Sequence, residues 1–243
     1  MRNQSGAGLG RKAICLLSGG LDSATALYVA LEKGFAVIAL TIAYGQKHDR
    51  ELDSARLIAS DLGLRHFVVP ISLPWQGSAL LDPEIAIPHR RALEDIPRDI
   101  PPTYVPARNS IFLSLAASCA EAQGAEAIFF GANAIDYSGY PDCRPEFLEA
   151  FLAMIRKGTK AGVEGRVLSM EAPLIRLTKR EIVELAAKLR VPFEKTWSCY
   201  EGGQSPCGEC DSCMLRAKGF QEAGIFDPLL SKGVPQSTGM ESR

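Results

Sequence analysis

A short apolar run that ends in a glycine pair and restarts as a helix constrains this chain more than any other feature. Ala13 to Leu17 is apolar without polar alternation, which suits a strand buried on both faces of a parallel sheet. Ser18-Gly19-Gly20-Leu21-Asp22-Ser23 follows at once. Leu21 to Lys33 then carries helical spacing and stops at Gly34. Strand, glycine turn and helix in direct succession point to an α/β fold.

The alternation continues. Phe35 to Ala43 is β-branched and apolar, a second strand. His48 to Leu62 reads as an amphipathic helix closed by Gly63, and His66 to Ile71 as a third strand. Residues 72–107 are Pro-rich and aperiodic, and a connection this long inside a compact domain predicts a functional loop or lid. Arg108 to Gln123 reads as a helix, Ala127 to Gly131 as a buried strand, and Asn133 to Arg144 as a polar, aromatic loop. Pro145 to Arg156 is helical with proline in its first turn. Thr178-Lys179-Arg180-Glu181 is a capping box for a helix reaching about Leu189. A last short helix covers about Ser212 to Glu222.

This order predicts a doubly wound parallel α/β sheet. The α/β domain spans 12–192, a small C-terminal helical, metal-bound subdomain spans 193–230, and 1–11 and 231–243 are expected to be flexible tails. Ligands of such sheets sit at the carboxyl ends of strands near a switch point. That places Ser18–Ser23, Ala43–Lys47 and Gly131–Asp136 around one crevice.

The loop itself has phosphate-binding chemistry. Gly19 and Gly20 let backbone approach a ligand closely, and the following helix points free N–H groups and its positive dipole end into the turn. Ser18 and Ser23 add hydroxyls. The cradle runs from Leu17 through Ser18, Gly19, Gly20, Leu21, Asp22, Ser23, Ala24, Thr25 and Ala26 to Leu27. Neither GxxxxGK[ST] nor GxGxxG is present. The bland alternative is a plain strand-to-helix turn with Asp22 as a first-turn charge.

SGGxDS in this position resembles the PP-loop ATP pyrophosphatase superfamily, which includes GMP, NAD and argininosuccinate synthetases. The resemblance implies ATP cleavage between the α and β phosphates, with an adenylate formed on the substrate. It makes Asp22, Ser18 and Ser23 the catalytic candidates, with Asp22 at the Mg²⁺–pyrophosphate end. The motif often has Ser or Thr after its second Ser; here Ala24 and then Thr25 stand there.

Basic and acidic residues number 27 and 28, so no basic excess points to a stable nucleic-acid partner. The longest apolar stretches, such as Phe35 to Ala43, fall short of the ~20 residues a membrane helix needs. Met1 to Lys12 is polar, without the apolar segment of a secretory signal, so the cytoplasm is the expected location. Thiols stay reduced there, and seven cysteines then need a non-disulfide explanation. Cys15, Cys119 and Cys143 are scattered and read as small buried hydrophobes. Cys199, Cys207, Cys210 and Cys213 fall within fifteen residues, with spacings that bring four sulfurs onto one ion. Such a site fits one structural Zn²⁺. An iron–sulfur cluster is the rival.

Tyr104-Val105-Pro106-Ala107-Arg108-Asn109-Ser110, the run Asp136-Tyr137-Ser138-Gly139-Tyr140-Pro141-Asp142-Cys143-Arg144, Thr196-Trp197-Ser198-Cys199-Tyr200 and the cysteine cluster together resemble the 7-cyano-7-deazaguanine synthase family. The resemblance covers about 12–227. It implies that ATP adenylates 7-carboxy-7-deazaguanine, ammonia displaces AMP to give an amide, and a second ATP converts the amide to a nitrile. A homodimer is also implied. A guanine-like edge donates N–H bonds to a carboxylate and its ring stacks on aromatics, and Asp136, Tyr137, Tyr140 and Asp142 are of the right type. The alternative is a Tyr/Pro-anchored structural loop. Arg108 and Arg144 suit a substrate carboxylate or phosphates, although Arg108 also suits a solvated first turn. Lys160 and Lys179 suit phosphate or plain surface, and Trp197 suits packing. His48 is given no proton-transfer role. The competing functions are a PP-loop tRNA-base-modifying enzyme and a non-catalytic nucleotide-binding protein.

Overall fold

The computed structural model describes residues 10–93, 95–96, 100–133 and 140–229. Five parallel strands form one sheet: β1 (Lys12–Leu16), β2 (Ala36–Ala43), β3 (Arg65–Pro70), β4 (Ala127–Phe129) and β5 (Ser169–Glu171). Their spatial order is β3-β2-β1-β4-β5, so the winding reverses between β1 and β4. The seven described α-helices are α1 (Leu21–Glu32), α2 (Arg50–Asp61), α3 (Arg108–Gln123), α4 (Pro145–Gly158), α5 (Lys160–Val163), α6 (Lys179–Lys188) and α7 (Asp211–Ala223). Short 3₁₀ turns lie at Pro141–Cys143 and Phe193–Lys195.

Strand alternation divides the interior into two layers. Ala13, Cys15, Val37, Ala39, Ala127 and Phe129 face α1, α2, α6 and α7 through Leu27, Ile58, Ile182 and Phe220. Ile14, Leu16, Ile38, Leu40 and Ile128 face α3 and α4 through Leu113, Ala117, Leu148 and Phe151. Both faces of β1 are covered, which explains its unbroken apolar run. Helices on both faces make the sheet doubly wound, as the alternation predicts.

Local signals hold at several boundaries. Gly124 closes α3 in the left-handed conformation at φ 63°. Thr178 and Glu181 close a reciprocal capping box on α6. The strand β5, not anticipated from sequence, adds to β4 in parallel register. The tails lie almost wholly outside the described residues; Gly10 and Arg11 are exposed or nearly so at the entry to β1. Among the described residues no helix is long and apolar enough to cross a membrane.

The C-terminal segment packs into the main fold. Phe220 of α7 shares the core with Leu27 and Ile182, and its ring sits edge-on to Phe193 at 4.8 Å. Arg216 is buried and bidentate to Asp227, at 2.6 and 2.9 Å, and also donates to Thr196 Oγ1 at 2.8 Å. Breaking such a buried pair costs about 3–5 kcal/mol. The described part of the long 72–107 connection lies against the same segment. His89 bridges Cys210 in antiparallel fashion, Arg90 N–H donates to Glu209 O, and Arg91 pairs with Asp211 at 2.8 Å.

Candidate active site and metal cluster

At the reversal point, a cavity of about 250 Å³ opens beside the carboxyl ends of β1, β2 and β4. Its floor is the glycine loop, and its walls include Tyr44, Gln46, Gly131, Arg108, Tyr140, Lys179 and Trp197. The crevice expected at Ser18–Ser23, Ala43–Lys47 and the start of Gly131–Asp136 is therefore present.

The loop orders itself. Ser18 N–H donates to Ser23 Oγ at 3.1 Å, the two hydroxyls meet at 2.9 Å, and Ser23 Oγ lies 3.0 Å from Gly20 O. Gly19 has φ +94° and leaves no room for a side chain, because the backbone of α2 passes directly over it. Gly131 is also tight, though less so: a Cβ there would lie 2.9 Å from Ser23 N. These two close approaches bring α2 and the segment after β4 hard against the loop and the start of α1. Leu21 is buried yet lines the cavity, whereas Ala24, Thr25, Ala26 and Leu27 are buried within α1 behind it. Leu17 is likewise buried, and its carbonyl accepts from Thr41 Oγ1 at 2.6 Å.

Asp22 is gripped from two distant points of the chain. Lys179 Nζ donates to its oxygens at 2.9 and 2.7 Å, and Asn133 Nδ2 donates to Oδ2 at 2.8 Å. Lys179 is thus part of the site, whereas Lys160 is exposed and pairs with Glu164 at 3.7 Å. A cation and the N-terminus of α1 converge on one end of the cavity, which is suited to polyanionic phosphate.

Arg108, at the start of α3, lies 5.8 Å from the Tyr44 and Phe112 ring centres and lines the cavity. Tyr140 lines it too, with its hydroxyl 3.2 Å from Thr103 Oγ1 and its ring 5.8 Å from Tyr104. Asp142 is placed differently. It is buried, and its two oxygens take Asn109 N–H at 3.0 Å and Asn109 Nδ2 at 3.3 Å. It anchors the N-terminus of α3. Arg144 is exposed at the N-terminal cap of α4. Asp136 and Tyr137 lie outside the described residues.

Glu51, in the first turn of α2, also lines the cavity. Burial pushes its carboxyl up to about 7, against the pull of the nearby Arg108 guanidinium. Sequence pattern hides it, since a first-turn glutamate of an amphipathic helix is ordinarily solvated. The available signal was its place just past the end of β2, beside the switch point.

The four cysteine sulfurs lie within 4.8 Å of one another, with Cys207 and Cys213 at 4.0 Å. Tetrahedral zinc with bonds of ~2.3 Å needs sulfurs about 3.8 Å apart, so small shifts suffice. Backbone N–H groups of Glu201 and Cys207 point at Cys199 Sγ, and those of Glu209 and Cys210 at Cys207 Sγ. Such donors stabilise thiolates. Hydrogen bonds from Cys210 and Cys213 hold the Cys199 thiol well below the usual range, while the same contact pushes Cys210 up to about 12. Four sulfurs at this density ionise together only around a cation, and the cluster fits a metal ion.

Cluster and loop are joined by Trp197. Its backbone N–H donates to Gly19 O at 2.9 Å and its indole Nε1 to Cys199 O at 2.8 Å. His48 packs against Gly202, whose φ of +65° and lack of Cβ admit the ring.

The profile of the family described as queuosine biosynthesis protein QueC matches residues 12–224. The 7-cyano-7-deazaguanine synthase of Trichodesmium erythraeum is 52% identical over 221 residues, covering 90% of this chain and 100% of that protein. The 7-cyano-7-deazaguanine synthase of Thermoplasma acidophilum is 52% identical over 225 residues, covering 93% of this chain and 94% of that protein. Among solved structures, NMN synthetase from Francisella tularensis aligns with a TM-score of 0.46 at 17% identity, covering 94% of this chain and 80% of that one.

Proposed function

The chain belongs to the queuosine biosynthesis protein QueC family, and we propose that it is an ATP-dependent C–N ligase converting 7-carboxy-7-deazaguanine and ammonia into 7-cyano-7-deazaguanine. The observation that carries this reading is its 52% identity, over the full length of the relative, to a protein of that name.

The residues suit each step. The α1 N-terminus, Ser18, Ser23 and Lys179 receive the phosphates, leaving the α-phosphorus open toward the cavity. Arg108 faces the substrate carboxylate and offsets its charge as its oxygen attacks, giving the acyl adenylate and pyrophosphate. Ammonia forms the C–N bond as the C–O bond to AMP breaks. In a second round the amide oxygen takes an adenylyl group, and loss of AMP and the remaining N–H protons leaves the nitrile. Both rounds turn a poor leaving oxygen into AMP, and the protein supplies position and charge. Asp22 would hold Mg²⁺, which would supply neutralisation of the phosphate charge when ATP is bound. Tyr140 stacks on the deazapurine. Asp136 and Tyr137 keep the roles their residue types suggest, edge recognition and stacking.

The metal in the four-cysteine cluster is zinc in this reading. All four positions are filled by protein, so its role is structural. The functional units are 12–192 for ATP and 193–230 for the metal, the assembly is a homodimer, and the location is the cytoplasm. Incubation with Mg-ATP, ammonium and 7-carboxy-7-deazaguanine should release two AMP for each nitrile formed. Absence of acid-dependent AMP would refute the ligase reading.

A further inference from the structure

The peptide that joins Gly19 to Gly20 has no Cβ on either side, so its plane can turn over at little steric cost. Its direction matters at a phosphate site. In a trans peptide the carbonyl and the N–H point opposite ways, so one orientation offers a ligand a donor and the other an acceptor. The observed orientation is the donor one. Gly19 O accepts the Trp197 backbone N–H at 2.9 Å, while Gly20 N–H lies 3.3 Å from Ser18 Oγ, and Ser18 and Gly20 both line the cavity. Trp197 is itself held. Its indole N–H donates to the carbonyl of Cys199, and buried Arg216 donates to Thr196 Oγ1 and Ser198 Oγ on either side of it. Arg216 belongs to α7, which starts directly after Cys210 and carries Cys213.

We propose that Trp197 is a positioning residue for ATP: its backbone N–H fixes the Gly19–Gly20 peptide with the donor toward the phosphates, and its indole ties that setting to the four-cysteine cluster. The inference rests on the reading of the cavity as an ATP site, not on the acid substrate. Cys199 is one of the four sulfur ligands, so a bound metal fixes its carbonyl and, through the indole, the residue that grips the loop. A turned peptide would withdraw an N–H from the triphosphate and present a carbonyl oxygen to it instead. The effect falls on phosphate, because an uncharged nucleoside has no anion for that N–H to serve. A packing role alone would loosen the wall for both ligands. The peptide can also be blocked from turning. Turning carries φ of Gly20 from −75° into the positive range, which glycine accepts and alanine resists by about 1–2 kcal/mol. A methyl fits there, since a Cβ on Gly20 would lie 3.4 Å from Ser18 Oγ and 3.5 Å from Trp197 O.

Trp197→Phe keeps an aromatic ring in the wall and deletes the indole donor. Calorimetric titration measures the binding of Mg-ATP and of adenosine to the metal-loaded proteins, and elemental analysis gives their metal content. The expected result is ATP binding weaker by about 10-fold, adenosine binding within about 2-fold of wild type, and metal retained. Adding Gly20→Ala to Trp197→Phe should bring ATP affinity back to within about 3-fold of wild type, since alanine resists the turned peptide. Stripping the metal from the wild-type protein with a chelator should reproduce the selective loss of ATP affinity. Unchanged ATP binding in Trp197→Phe would overturn the inference. Equal weakening of adenosine, or loss of metal, would overturn it too and make Trp197 a packing residue. Failure of Gly20→Ala to restore binding would move the effect away from this peptide and refute it as well. If Trp197→Phe yields no folded protein, the stripped wild type decides: ATP affinity unchanged, or lost in step with adenosine, sinks the idea. A wild-type protein that binds no ATP would instead remove the nucleotide reading of the cavity, and the inference with it.

Discussion

Gly19→Ala tests how tightly the phosphate loop is clamped. At φ +94° an alanine adopts a backbone conformation that costs about 1–2 kcal/mol for a residue with a Cβ. That Cβ would also lie 2.8 Å from Ala55 N and 2.9 Å from Ser54 Cβ, and closer still to Glu51 O. These are mostly backbone atoms of a helix whose Ala55 and Ile58 are fully buried, so the helix cannot yield cheaply. Overpacking of this kind adds about 1–3 kcal/mol. The total is about 2–5 kcal/mol out of a typical 5–15. For a chain of this length it should lower Tm by about 10 °C. Gly34→Ala is the matched control, with φ +79° and nothing within 4 Å of the added carbon. It should cost only the conformational part, about 1 kcal/mol. Thermal unfolding followed by circular dichroism compares the two. If Gly19→Ala loses no more than Gly34→Ala, the close passage of α2 over the loop does not constrain it, and the clamp argument fails.

Asp142→Ala should lower stability by about 1–2 kcal/mol, because the Asn109 backbone N–H loses its partner and Nδ2 keeps only Cys143 Sγ, with little change in KM for the acid substrate; a raised KM at unchanged Tm would instead mean substrate contact. Cys210→Ser should abolish stoichiometric metal, measured by elemental analysis, and reduce soluble yield; full metal content would refute the four-sulfur site. Glu51→Gln should raise Tm at pH 8. The wild-type carboxyl is pushed from the ordinary range to about 7 in the fold, so it costs no stability below the unfolded pKa and progressively more as pH rises to about 7. The gain in the variant should therefore widen between about pH 5 and 7, and a gain independent of pH would contradict the burial of that carboxyl.

The fold was legible where a local rule acts alone. Arg108–Gln123 reads correctly at both ends because Gly124 can take the left-handed cap, and α6 starts where Thr178 and Glu181 bond reciprocally. Strand β1 reads correctly because it is covered on both faces. Three-residue β5 is half-buried throughout and carries no periodicity to detect. The site was legible only in its first component. SGGxDS marks the loop, but its lysine is 157 residues away and its asparagine 111, and only the folded sheet brings them to Asp22. Asp142 shows the converse. Its residue type suits substrate recognition, yet its oxygens are occupied at the head of α3, a pairing that spans 33 residues and leaves no local trace.

The contacts of the loop also bear on how the protein is made. Residues 18–23 emerge before the rest of the site, and their neighbours in β2 and α2 soon after. Lys179, which holds Asp22, follows it by 157 residues, and Trp197, which holds Gly19, comes later still. At about 5–20 residues per second, the ribosome leaves the loop without these partners for many seconds. A nascent or truncated chain that stops before Lys179 has a glycine turn but not the cation or the tryptophan that complete it. Competence to spend ATP waits for the downstream segment that carries Lys179, Trp197 and the cysteine cluster, so a chain that stops short of it is an idle one.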